Sequence, residues 1–306
     1  MKELSLHKNL IMAFLVMLLS NAAQAQELIE KTFSGKEILE LQVEGIEVNY
    51  QGISGKEDIS LEALLGKNEN TDKSLIMVSI GNKLKIAYKP PKGNDPTRKF
   101  INLKGPESIN LNFKNSSGSL RVSNVNAPST ILKVGSGLLD ASNINGNVET
   151  IATSGKVILK NIQGNVFCDI TSGVAEIEKI QGNMDFSATS GMLKAKDILG
   201  RLNAKITSGN IRLEEIGELG NLNVTSGNIK AHYAGLGDQT NLQGSSGNID
   251  ISTPSMLENY NFDLNAGSGS LRVGNHSHSK TLNIQNGAFP TVKGNIGSGS
   301  IRINAL

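Results

Sequence analysis

The pattern of apolar and polar positions repeats through most of the chain with a period of about 18 residues. A Ser-Gly pair marks each repeat, with its glycine at Gly118, Gly137, Gly155, Gly173, Gly191, Gly209, Gly227, Gly247, Gly269 and Gly299. From Gly137 to Gly227 the same interval occurs five times in succession, and the longer intervals that follow indicate loop insertions. A fixed period of this kind predicts a repeat architecture.

Apolar residues keep fixed places within the period. Counted from the glycine, positions 2 and 4 are apolar, as at Val157 and Leu159, and a second alternating run follows at positions 11, 13 and 15, as at Val166, Cys168 and Ile170. Alternation at a spacing of two is the signal of a strand, and glycines near 164, 182 and 200 separate the two runs. Each repeat therefore predicts one coil of about 18 residues with two short strands.

Stacking of these coils sets the fold class. One coil cannot bury its apolar side alone, but coils stacked about 4.8 Å apart pair their backbones and form a continuous core. We therefore predict an all-β parallel β-solenoid, and the general preference for right-handed crossovers favours a right-handed β-helix. The marker glycines are expected to line up as turn residues with positive φ. Position 5 alternates in charge, which favours stacking in register: Lys160, Glu178, Lys196 and Glu214.

The two ends of the chain depart from the repeat. Residues 26–100 contain strand-like runs at 38–43, 46–50, 76–80 and 84–88, followed by the proline-rich residues 90–96. We predict an N-terminal β-rich cap region at 26–100 and a β-solenoid repeat domain at 101–306. Residues 300–306 are interpreted as the final strand, whose open edge is either covered by the insertion at 274–296 or used for association.

The N-terminal segment 1–25 predicts a signal peptide. Lys2 and Lys8 precede the apolar run at 10–19, and Ala23-Gln24-Ala25 has the form of a cleavage site. This run is half as long as the roughly 20 residues that a spanning helix needs, so no membrane span is expected. We expect a mature chain beginning at Gln26, located in the periplasm, on the outer cell surface or in the extracellular medium.

Composition narrows the function classes further. The formal net charge of +2 predicts no bulk attraction to nucleic acid. Cys168 is the only cysteine, so no internal disulfide can form, and its apolar place in the repeat predicts a buried, inert thiol.

Candidate catalytic and metal-binding residues are sparse. Four acids are candidates for a carboxylate pair that cleaves polysaccharides, although lysines and asparagines are interleaved with them as on a solvated face: Asp169, Asp185, Glu176 and Glu178. His276 and His278 flank Ser277, but no Cys, Asp or Glu lies close by in the sequence to complete a metal site. We therefore predict no catalytic site, no metal site and no cofactor.

Position 3 gives the most suggestive outward file of side chains. It begins with Glu176 and continues through Lys194, Arg212 and Lys230, and Arg272 and Arg302 hold the same place in later coils. Lys194, Arg212 and Lys230 form a candidate binding face for anionic glycans or lipid headgroups. The alternative is a solubilising face whose charges balance against the neighbouring acids.

The repeat also carries a family resemblance. The succession TSGNIR, TSGNIK, SSGNID, GSGSLRV and GSGSIRINAL follows a β-rich lead that contains a GNKLKIAYK strand. This pattern resembles the bacterial putative-adhesin family of β-strand repeat proteins over about residues 35–306. The resemblance implies a secreted or envelope β-solenoid.

Taken together, these features predict an exported, non-catalytic envelope or surface protein. Its partners would be a glycan, an envelope component or another protein. One alternative is a polysaccharide-active β-helix enzyme. The other is a structural envelope protein that assembles with copies of itself.

Overall fold

The fold is all-β, and one sheet joins all of its strands in the part of the chain that can be described. The structure is a computed structural model that describes residue 26 and residues 28–67, 71–92 and 97–306. The expected signal peptide at 1–25 lies outside the described residues. Besides the strands, these ranges contain one short helix, α1 (Thr71–Ser74), and a 3-10 turn at Leu257–Asn259. None of the helices in these ranges is long and apolar enough to span a membrane.

The fourteen strands of the described residues differ greatly in length. They are β1 (Leu28–Phe33), β2 (Ile38–Val43), β3 (Glu47–Ile53), β4 (Ile59–Leu64), β5 (Leu75–Ile80), β6 (Lys83–Tyr88), β7 (Phe100–Pro106), β8 (Asn110–Gln163), β9 (Val166–Ile180), β10 (Met184–Thr253), β11 (Asn261–Val273), β12 (His276–His278), β13 (Thr281–Ile284) and β14 (Thr291–Ala305).

The long strands are coils that lie on one another in the register of the repeat. β8, β9 and β10 pair in parallel, so that Gly173 lies beside Gly155 on one side and beside Gly191 on the other. Each step to the next coil corresponds to one full period of the sequence, which brings identical repeat positions together. The inward positions thereby form one continuous apolar core that extends from Ile29 to Ile303. The right-handed winding of the coils stays a prediction.

The marker glycines form a file that other residues could not form. All ten have positive φ, between 105° and 147°. A Cβ added to any of them from Gly137 onward would lie 1.7–2.1 Å from the carbonyl oxygen of the stacked glycine in the adjacent coil. Neighbouring coils therefore approach each other at this corner as closely as their backbones allow, and a side chain would hold them apart.

A second corner, at position 6 after each of the first seven marker glycines, is left-handed without glycine. The residues there have φ of 54–60°: Asn124, Asn143, Asn161, Lys179, Asp197, Glu215 and Tyr233. Asparagine tolerates this conformation well, and the first three also form a ladder, in which Asn161 donates to Asn143 at 3.0 Å and Asn143 donates to Asn124 at 3.1 Å. The sequence pattern had not singled out this corner.

The division of every coil into two short strands is wrong for most coils. The strand pairing is interrupted at 164–165 and at 181–183, near two of the predicted breaks, but it continues past Gly200 within β10. Identical corners stacked in the same conformation keep their backbones parallel, so pairing between coils continues around the corner. The predicted glycine breaks mark bends of the coil rather than ends of strands.

The N-terminal lead joins the same sheet. Its four predicted strand runs correspond to β2, β3, β5 and β6, while β1, β4 and β7 were not predicted. β2 and β3 pair in parallel with β8, with Leu41 beside Phe113 and Tyr50 beside Val122. The lead is thus continuous with the coil stack, and the division at residue 100 stays a prediction.

The open C-terminal edge is a wrong prediction. β14 lies between β10 and β11, so that Gly299 has Gly247 on one side and Gly269 on the other. The last strand of the sequence is therefore an interior strand of the stack, and β11 is the outer coil. The insertion supplies β12 and β13, which pair antiparallel with β11 and cover its edge. Because the inserted coil has the same repeat register as its neighbours, the sequence pattern fits either order.

Candidate functional site

One broad face of the stack carries the predicted basic residues. Lys194, Arg212 and Lys230 border an open furrow of about 820 Å³ whose floor includes Ile177 and Leu213. We call it the charged furrow; besides these residues it is lined by Lys160, Glu176, Glu178, Ala195, Lys196, Glu214 and His232. The structure therefore brings the three predicted binding residues together on one surface.

The charge of Lys194 is balanced by an adjacent carboxylate. Its Nζ lies 3.2 Å from Glu176 Oε1, and Lys156 Nζ lies 2.5 Å from the other oxygen of Glu176. Hydrogen bonds from Lys156 and Lys194 hold the pKa of the Glu176 carboxyl below its ordinary value. This end of the file matches the alternative interpretation, a solvated face of paired charges.

The alternating charges of position 5 also pair between coils. Lys160 Nζ lies 3.5 Å from Glu178, and Lys196 Nζ lies 2.9 Å from Glu214 and 3.6 Å from Glu215. The hydrogen bond with Glu214 raises the pKa of Lys196. The charge pattern that indicated register in the sequence therefore corresponds to real contacts between neighbouring coils.

Arg212 and Lys230 differ from the other cations of the furrow. Neither has a carboxylate within ion-pair distance among the residues that the structure describes. They lie on successive coils, as the approach of Gly227 to Gly209 shows, and coils are spaced about 4.8 Å apart. At the same repeat position, the next three coils of the stack carry Asp250, Arg302 and Arg272, in that order. Two adjacent cations are thus available to an external anion.

An amide ladder runs beside these two cations, at position 1 of the repeat. Asn248 donates to Asn228 at 3.1 Å, Asn228 donates to Asn210 at 3.2 Å, and the Ser300 hydroxyl donates to Asn248 at 2.8 Å. A side-chain amide has two N–H donors, so each asparagine in the ladder keeps at least one for a ligand. This row of asparagines was not predicted, although the asparagine at position 1 of successive repeats is visible in TSGNIR, TSGNIK and SSGNID.

The candidate catalytic acids are engaged in structural contacts. Asp169 accepts a hydrogen bond from Ser187 at 2.8 Å, and Asp185 accepts one from Asn203 at 2.8 Å. Glu176 and Glu178 form the ion pairs described above, in the charged furrow. A general acid needs a raised pKa, whereas that of Glu176 is lowered.

A second furrow, of about 380 Å³, lies along the other run of the repeat. It begins at Phe167 and Asp185 and continues between files of uncharged amides: Asn203, Asn221, Asn223, Asn241 and Gln243. Most of the side chains that line this second furrow are uncharged, whereas most of those that line the charged furrow are ionised. Of the residues that line it, the sequence singled out only Asp185, as a candidate acid, and Phe186 and Ala204 as inward positions of the repeat.

The remaining candidate groups do not converge. His276 and His278 are exposed on β12, at the outer edge of β11. Over the described ranges, no three His, Cys, Asp or Glu residues lie close enough together to hold a metal ion. Cys168 is fully buried, as predicted, and burial raises the pKa of its thiol to about 12.

Comparison with known proteins gives several solved structures of low similarity. A protein from Parabacteroides distasonis described as a putative lipid binding protein is 19% identical, with a TM-score of 0.46, over 92% of this chain and 97% of its own. A putative adhesin from Bacteroides fragilis is 13% identical, with a TM-score of 0.42, over 92% of this chain and 98% of its own. A putative adhesin from Parabacteroides distasonis is 14% identical, with a TM-score of 0.37, over 92% and 98%. Similarity at this level does not transfer a ligand or a function.

The family assignment is firmer. No curated protein matches the sequence. The model of the family described as Toastrack DUF4097 matches residues 37–304, which is most of the chain and includes both the lead strands and the repeats. The resemblance to a family of β-strand repeat proteins is thereby confirmed, and the chain belongs to the Toastrack DUF4097 family.

Proposed function

We propose that this chain is an exported, non-catalytic surface or envelope protein that binds an acidic polysaccharide through the charged furrow. The observation that carries the proposal is the pair Arg212 and Lys230, which lies in an open furrow with no ion pair to a described residue. The asparagine ladder beside them adds donors for hydroxyl or carboxylate oxygens. Export is supported by the charged, apolar and small-residue pattern of residues 1–25.

The shape of the site suits a chain-like ligand. The furrow runs across successive coils, so a polymer lying along the stack would meet equivalent positions of the repeat about every 4.8 Å. Each exposed charge contact contributes only about 0.2–1 kcal/mol, and salt screens it. Affinity would therefore come from several weak contacts along one polymer and would fall as ionic strength rises.

The binding experiment compares acidic and neutral polysaccharides. Affinity of the chain for polygalacturonate and for dextran is measured at low and at physiological salt. The variant Arg212→Ser/Lys230→Ser is expected to lose about tenfold in affinity for polygalacturonate, because two contacts of about 0.7 kcal/mol are removed. Lys205→Ser/Lys293→Ser is the matched control, since it removes the same charge from the other furrow and its continuation.

Three results would contradict the proposal. Equal binding of polygalacturonate by the wild type and the Arg212→Ser/Lys230→Ser variant would remove the charged furrow as the site. Equal binding of dextran would remove the acidic class of ligand. Retention on anionic vesicles without binding of polygalacturonate would show that the face meets lipid headgroups instead.

Two further measurements test the rest of the proposal. N-terminal sequencing of the protein from an envelope or culture fraction should give Gln26 as the first residue, and an intact Met1 would argue against export by a cleaved signal. Incubation with acidic and neutral polymers should release no reducing ends. Release that disappears in Glu178→Gln or Asp185→Asn would favour the polysaccharide-active enzyme.

A further inference from the structure

The ends of the coil stack are protected unequally. At one end, β12 and β13 cover the outer edge of β11. At the other, β1 pairs only with β4 among the described strands and carries Glu30 and Lys31. Charged residues on an edge strand discourage pairing with another chain. β5 is also an edge strand, because in the described part of the chain it pairs only with β6, as β12 and β13, which are shorter, pair only with β11.

β5 has the properties of an edge that associates. Its sequence, LIMVSI, includes no charged residue. Ile76, Val78 and Ile80 all point to the outer face, and their exposed fractions are 51%, 42% and 65%. An uncharged edge strand with an apolar face combines free backbone hydrogen-bonding groups with surface that gains by leaving water.

The order of these three side chains indicates what pairs with the strand. The outer face reads Ile, Val, Ile, which is the same in both directions about Val78. A two-fold axis at Val78 would therefore place Val78 against Val78 of the partner subunit, and Ile76 against Ile80 of the partner subunit. Most soluble oligomers of one chain use such a two-fold, self-complementary interface.

We propose that two copies of this chain associate through β5, which pairs antiparallel with itself about a two-fold axis at Val78. The sheet then continues from one copy into the other. One strand pair buries less surface than a standard interface, so the dimer is weak and depends on concentration. Each dimer carries two charged furrows, but the proposal does not depend on what they bind.

Disulfide trapping tests the register directly. The experiment uses residues 26–306, which include every described strand, and the native Cys168 does not interfere because it is buried. Opposed residues of antiparallel strands lie about 4.5–5.5 Å apart between Cα atoms, within the range that a disulfide spans. Val78→Cys is therefore expected to form a covalent dimer under mild oxidation.

The two flanking positions provide the controls. Ile76→Cys alone and Ile80→Cys alone should not cross-link, because each would lie about 13 Å along the strand from its own copy. An equimolar mixture of Ile76→Cys and Ile80→Cys should cross-link, because these positions face each other. A Leu199→Cys variant, exposed at a distant corner, gives the background of random collisions.

Sedimentation velocity provides the independent measurement. The wild-type chain is expected to shift from monomer to dimer over a concentration series. Val78→Lys should stay monomeric over the same series, and Leu199→Lys should behave as the wild type. Circular dichroism verifies that each variant is folded.

The proposal fails if the wild type is monomeric at its highest soluble concentration, or if Val78→Cys cross-links no more than Leu199→Cys. Self-linking of Ile76→Cys in preference to Val78→Cys would overturn the two-fold axis at Val78. None of these outcomes depends on polysaccharide binding, so failure of the dimer and failure of the proposed function are distinguishable.

Discussion

Replacing one glycine of the marker file by alanine should destabilise the whole fold strongly. Gly191 lies in the middle of the stack, with φ of 142°, and an added Cβ would lie 2.0 Å from the carbonyl oxygen of Gly173. An ordinary contact of a Cβ is 3.4–4 Å. The two coils would have to separate by more than about 1 Å at this corner, on a contact made by backbone atoms that cannot rotate away.

The expected magnitude has two parts. A φ of 142° lies outside the regions that residues with a side chain normally adopt, and holding an alanine there costs about 1–3 kcal/mol. The separation of the coils stretches the neighbouring backbone hydrogen bonds, and losing two of them adds roughly 2 kcal/mol at about 1 kcal/mol each. We therefore expect Gly191→Ala to lower the free energy of unfolding by about 4 kcal/mol, a large share of the roughly 5–15 kcal/mol of a typical domain.

A matched control isolates the contact from the backbone conformation. Gly287 has a similar φ, 133°, but an added Cβ there would lie 3.5 Å from the Phe289 ring, which is an ordinary contact. Gly287→Ala should therefore cost only the conformational part, about 1–3 kcal/mol. Urea unfolding of both variants and the wild type is followed by circular dichroism. Equal midpoints for Gly191→Ala and Gly287→Ala would refute the argument that close approach of the coils requires glycine.

Four further predictions concern single side chains. Tyr233→Asn should raise the free energy of unfolding by about 0.5–1 kcal/mol, because Tyr233 has φ of 54° and asparagine tolerates that conformation better; chemical unfolding measures it. Thr130→Val should raise the free energy of unfolding by about 1 kcal/mol in the same assay, because the buried Thr130 hydroxyl has no hydrogen-bond partner among the described residues. Cys168 should resist a thiol reagent at pH 8 until the chain unfolds. The free energy of unfolding should fall between about pH 9 and 12, because the thiol ionises at lower pH in the unfolded chain than in the folded one. Cys168→Ala should remove this component of the pH dependence. Glu176→Gln should strengthen polygalacturonate binding several-fold at low salt, because it releases two lysines from their ion pairs, as a titration with the wild type in parallel would show.

Each of these has an outcome that would contradict it. A lower midpoint for Tyr233→Asn would mean that the tyrosine makes contacts that outweigh its strained backbone. A lower midpoint for Thr130→Val would indicate a bound water at the hydroxyl. Fast labelling of native Cys168 would show that the coils open locally, and unchanged affinity of Glu176→Gln would argue against the charged furrow as an anion site.

The sequence was informative where the physics is local and periodic. Spacing of two gave the inward and outward positions, and the period of the repeat placed Gly155, Gly173 and Gly191 beside one another. The alternation of Lys196 and Glu214 similarly anticipated a contact of 2.9 Å. These features could be inferred because each coil repeats the environment of the one before it, so that identical positions must stack.

The site was only partly visible in the sequence. Position 3 correctly grouped Lys194, Arg212 and Lys230 on one face. Whether a cation is paired depends on which carboxylates of the neighbouring coils lie within ion-pair distance. Lys194 pairs with Glu176, while Arg212 and Lys230 form no ion pair in the described part of the chain. That difference cannot be inferred from the spacing of residues alone.

The amino-acid sequence by itself determined the coil length and the side chains that face the core, because these follow from the repeat period and from the alternation of apolar positions. Only the tertiary structure decided the order of the last coils, since β14 and β11 have the same register and either could have stacked on β10. It likewise decided which edges stay open: the final strand became an interior one, and β5 was left at the boundary of the sheet. The repeat sets the register of neighbouring coils. The order of the coils depends instead on the path of the inserted loops between them, and the periodic pattern carries no information about that path.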